Sequence, residues 1–90
     1  MTQENKIQEA LRMIDSYDWY WRMADAWLYD RAKAGMRSFV SFVSTIENEN
    51  VRQALRNLWT LKYEETRGFI SGGNTDISAK RSEYMAVLAA

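Results

Sequence analysis

Apolar side chains recur every three or four residues through the first half of this chain, and their phase never slips. The positions are Ile7, Ala10, Ile14, Tyr17, Trp21, Ala24, Leu28, Ala32, Gly35, Phe39, Val43 and Ile46. At about 100° per residue they all stay within roughly 60° of one line along a helix. The chain has no Pro, and Asp15, Ser16 and Asp18 are the only local break signals. Short polar side chains of that kind compete with the helix for its own backbone groups. The spacing predicts one long helix over about 4–46, with a kink or break near Ser16 as the alternative. A helix of that length spans roughly 60 Å. That exceeds the diameter of a compact 90-residue domain, so an elongated shape is expected.

The remainder reads as two further helices. "ENEN" supplies a turn, with Asn48 or Asn50 as the cap and Gln53 three residues after Asn50, as in a capping box. The second helix is expected over about 51–69, with Val51, Ala54, Leu55, Leu58, Leu61 and Phe69 on its apolar face and Trp59 on the flank. The short turn makes it antiparallel to the end of the first. That register sets Phe39 opposite Leu58, Val43 opposite Ala54 and Leu55, Leu28 opposite Phe69, and Ala32 and Gly35 opposite Lys62 and Glu65. An Arg31–Glu65 ion pair follows from the same register. "SGGNTD" is a loop in which Gly72-Gly73 can take positive φ. A short third helix over about 76–88 then presents Ile77, Tyr84, Met85 and Leu88. The fold class is therefore all-α: a single domain over 1–90, arranged as an elongated helical hairpin or small bundle.

The segment "SYDWYWRMADAW", residues 16–27, holds three of the four Trp. On the helical wheel Trp21 lies at the centre of the apolar stripe. Tyr17 shares that line, Tyr20 and Trp27 flank it on one side and Tyr29 on the other, and Trp19 points nearly opposite. This is an unusually wide core face with one aromatic left over. Trp, Tyr and Arg are enriched at interface hot spots, so Tyr17, Trp19, Tyr20, Trp21, Arg22, Asp25, Trp27, Tyr29 and Arg31 are the candidate interface or ligand residues. Asp25 sits at the edge of the face. Its ordinary reading is a carboxylate that reaches solvent or pairs with Arg22; its functional reading is a desolvated acid.

Composition excludes several functions. The chain has no His and no Cys, which removes the usual metal ligands and the usual general base near neutral pH. Twelve Lys and Arg balance twelve Asp and Glu, so no basic footprint for nucleic acid is present. No run reaches the roughly 18 apolar residues of a membrane span, and the polar N-terminus carries no signal core, so a cytoplasmic protein is the expectation. Neither a cofactor nor a metal is expected. Helix two is too short to cover all of helix one. The stripe from Ile7 to Ala24 should then need another partner, most simply a second copy. The expected function is a non-enzymatic interaction and assembly module that self-associates as a dimer through its aromatic-rich helix face. The alternative is a binder of a small nucleotide-like or cationic ligand that uses the Trp/Tyr cluster. In general character the chain resembles small accessory or inhibitor proteins of phages and mobile elements, a likeness of type carried by no motif.

Overall fold

The structure, a computed structural model, describes the backbone of residues 2–17, 26–71 and 77–90 and the side chains of 2–17, 33–66 and 77–90. The described residues form four helices, α1 (Gln3–Ser16), α2 (Ala26–Val43), α3 (Glu49–Ser71) and α4 (Ile77–Ala89), and no strand. α1 starts where Thr2, in extended conformation, accepts a hydrogen bond at Oγ1 from the Asn5 N–H at 3.1 Å. Glu4 adds negative charge to the first turn, where the helix dipole favours it.

α1 ends at Ser16. The Tyr17 N–H still reaches the Met13 carbonyl at 3.1 Å, but Tyr17 itself is extended, with ψ 139°. The single helix over 4–46 is therefore replaced by the alternative, a break next to Ser16. The physical reason is burial. A continuous helix would leave Ile7, Ala10 and Ile14 far from any neighbour, whereas the broken chain buries all three. Each buried aliphatic side chain is worth about 1.5–3 kcal/mol against exposure, which outweighs the few helical hydrogen bonds lost at a break.

The polar contacts fix the topology. Lys6 Nζ donates to the Thr45 carbonyl at 2.9 Å, tying the start of α1 to the end of α2. Tyr17, just past the far end of α1, lies against Gly35 of α2, so the two helices are antiparallel. α3 then packs against α1, α2 and α4. The start and the end of the predicted stripe thus face the same helix from two sides. Ile7, Ala10 and Ile14 of α1, Phe39 and Val43 of α2 and Ile46 of the turn meet Val51, Leu55, Leu58 and Trp59 of α3 in one core. The molecule measures 37 × 29 × 17 Å, a compact four-helix bundle rather than an elongated hairpin of three helices.

Trp59, 8% exposed, joins this core through its ring. Its ring stacks on Phe39, with centroids 4.4 Å apart and an interplanar angle of 23°. Tyr17 meets it at a tilt, 4.6 Å away and 53° off parallel. Phe39, expected opposite Leu58, stacks on the next residue, Trp59, whose ring reaches into the core. α2 also stops three residues short of the expected end. Ile46 belongs to the turn and is still buried.

Candidate interaction surface

Of the aromatic candidates, only Tyr17 has a described side chain. It is half-buried and packs on Trp59, so it serves the core. Trp19, Tyr20, Trp21, Arg22 and Asp25 lie outside the described residues. Trp27, Tyr29 and Arg31 fall on the backbone of α2, and their side chains, like those of Leu28, Ala32 and Phe69, lie outside the description. The expected facing of Gly35 and Glu65 is corrected: Gly35 faces Tyr17, and Glu65 turns to α4, where it pairs with Arg81. Lys62 approaches the same carboxylate at 3.9 Å.

The surface that the sequence reading undervalued is on α4. Its last part, residues 84–89, reads Tyr-Met-Ala-Val-Leu-Ala and is apolar at every position. A helix that is apolar all round is normally enclosed, yet α4 has no buried residue. Tyr84 and Leu88 are partly buried against the core, while Met85 is 40% exposed. The signal was present as an unbroken apolar run. Reading only one face of it, through Ile77, Tyr84, Met85 and Leu88, left out Val87.

Open grooves flank α4. Between α1 and α4 one groove of about 310 Å³ is lined by Leu11, Ile14 and Leu58, by Met85 on the α4 side, and by the charged residues Asp15, Lys62, Glu65 and Arg81. A second, of about 440 Å³, continues along Ile7, Leu11, Met85 and Leu88 towards the chain end. On the other side of α4 a groove of about 460 Å³ runs over Ala54 and Asn57 to Tyr84 and Val87. The four charged residues of the first groove carry two charges of each sign, so its lining mixes apolar and charged groups and is electrically balanced.

Electrostatics elsewhere is local. Glu9 accepts from Arg12 Nε at 2.9 Å and pairs with its guanidinium, and that hydrogen bond lowers the Glu9 pKa and raises that of Arg12. Both groups are at the surface. Among the described residues no three His, Cys, Asp or Glu side chains gather to hold a metal ion, and no helix is long and apolar enough to cross a membrane. Comparison with protein-family models, curated proteins and solved structures finds no match.

Proposed function

We propose that this chain is a non-enzymatic helical interaction and assembly module that self-associates, most simply as a dimer. One observation supports it: the last two turns of α4 are apolar on every side and none of their residues is buried. On α1, Ile7, Ala10 and Ile14 are covered within the chain. The unsatisfied apolar surface moves to α4 and to the groove it forms with α1. A second copy suits this surface because ridge and groove lie side by side. Two copies related by a twofold axis can each seat the Met85 ridge in the other's groove, the self-complementary contact that twofold dimers require. The aromatic residues Trp19, Tyr20, Trp27 and Tyr29 are the second candidate contact in such an assembly.

Sedimentation equilibrium at micromolar concentration should report more than one chain. Met85→Glu should weaken the association at least tenfold while leaving the thermal melt of the dilute protein in place, since Met85 already borders solvent. A wild-type chain that stays monomeric throughout the accessible range refutes the proposal.

A further inference from the structure

We infer that the groove between α1 and α4 binds a small zwitterion with an apolar substituent, a free α-amino acid such as leucine. The inference goes beyond self-association and does not depend on it. The charges that line the groove fall into two groups. On α3 and α4, the Glu65 carboxylate pairs with Arg81 and lies 3.9 Å from Lys62 Nζ, so two cations share one anion and the group is positive in sum. On α1, Asp15 has no ion-pair partner among the described residues. It stands in the last turn of α1, which holds no basic side chain. The carbonyls at a helix C-terminus carry partial negative charge and favour a cation, and Asp15 adds to that charge instead of offsetting it. The groove is therefore neutral in sum but divided, negative on its α1 side and positive on its α3 and α4 side.

A zwitterion matches a divided site better than an ion of either sign. The ligand's ammonium pairs with Asp15 at the negative end of α1. Its carboxylate takes the donors that Glu65 leaves over: Arg81 has five N–H donors and Lys62 three, and both side chains are about two-fifths exposed. Leu11, Ile14, Leu58 and Met85 line the same groove and receive the apolar side chain. An apolar lining with a few polar groups that fix orientation is the usual make-up of a small-molecule site. At about 310 Å³ the groove stands at the small end of the roughly 300–1,000 Å³ of ligand pockets. That size suits a free amino acid and not the paired acyl chains of a zwitterionic lipid.

Amide chemical-shift titration of the full chain, diluted to the mass of one copy, tests this with three probes. They are L-leucine, isocaproate, which lacks the ammonium, and isoamylamine, which lacks the carboxylate. Leucine should shift the amides of Leu11, Asp15, Leu58, Arg81 and Met85 saturably in the millimolar range. It should bind about fivefold tighter than either analogue, the upper end for a partly exposed ion pair. Asp15→Asn should weaken leucine about fivefold and leave isocaproate unchanged; Arg81→Gln should weaken leucine by the same factor and leave isoamylamine unchanged. Neither side chain is buried, so both variants should keep the dispersed spectrum of the folded chain. Absence of any saturable shift with leucine would overturn the inference. So would analogues that bind as tightly as leucine, because the groove would then be reading apolar surface alone, and so would a leucine affinity that survives Asp15→Asn. Sedimentation decides self-association separately, so either reading can fail without the other.

Discussion

A Cβ at position 35 would stand 2.8 Å from Tyr17 Cε2 and 3.0 Å from Cδ2, so the glycine there makes room for the ring. The usual rule is that Gly inside a helix costs about 0.8–1 kcal/mol against Ala. Here the rule should reverse. Gly35→Ala should lose about 1 kcal/mol in a denaturant melt, because overpacking of 1–3 kcal/mol exceeds the propensity gain. The same change made on a Tyr17→Ala background should stabilise, since the obstruction is gone. A double-mutant cycle that shows no change of sign would mean that Tyr17 does not rest on Gly35. Trp59→Ala should cost about 3–5 kcal/mol, the range for truncating a buried Trp, because it strips Phe39 and Tyr17 of their common partner. At the surface, Glu9 should titrate below the ordinary glutamate value of about 4.3, and Arg12→Gln should return it there by NMR titration. The sign follows from the lowered pKa. Any stability the pair gives is present above the unfolded-state value and is lost as pH falls through the lower folded-state value.

Two side chains brace the α3 side of the turn between α2 and α3. Asn48 Oδ1 accepts from the Val51 N–H at 3.1 Å, and Arg52 Nη1 donates to the carbonyls of Ile46 at 2.5 Å and Glu47 at 2.9 Å. Asn48→Ala should therefore cost about 1 kcal/mol, as loss of a helix cap does, measured by chemical denaturation. Of the two caps the sequence offered, Asn48 is used. Gln53 bonds Asn57 at 3.0 Å instead of reaching back to close a capping box. The helical stripe was readable in the same way, in part. Its phase identified the buried residues on both α1 and α2, because burial depends on which side a residue faces. Phase says nothing about whether the chain between two such faces is continuous. A helix that breaks and folds back can keep the same pattern, and Asp15, Ser16 and Asp18 were weak evidence beside an unbroken period. Trp59 belongs to the core from the flank of its helix for a related reason. A wheel ranks residues by angle, and a large ring reaches a core from an angle where a small side chain would not. The surface on α4 was readable as an apolar run, but its exposure depends on how far α1 and α3 reach, which no local pattern records.

At the scale of the whole molecule the break next to Ser16 decides the shape. A helix over 4–46 would be about 64 Å long at 1.5 Å per residue, and the longest dimension of the molecule is 37 Å. The two arrangements bury the same kinds of residue but spread mass differently. The folded-back bundle has a Cα radius of gyration of 13.6 Å, near the roughly 12 Å expected for a compact domain of this length. A rod of the continuous helix's length would by itself have a radius of gyration of about 18 Å, and a shorter helix packed on one half would not bring it close to the compact value. Small-angle scattering of the dilute chain should therefore give about 14–15 Å once hydration is added. Forward scattering reports mass in the same measurement, so it separates shape from association. A compact value at the mass of one chain, rising with concentration together with mass, is the joint expectation of the bundle and of self-association through α4. A value of 18 Å or more at the mass of a single chain would restore the long helix and remove the core in which Ile7, Ala10 and Ile14 are buried. The α1–α4 groove would go with it, since that groove exists only because α1 folds back beside α3.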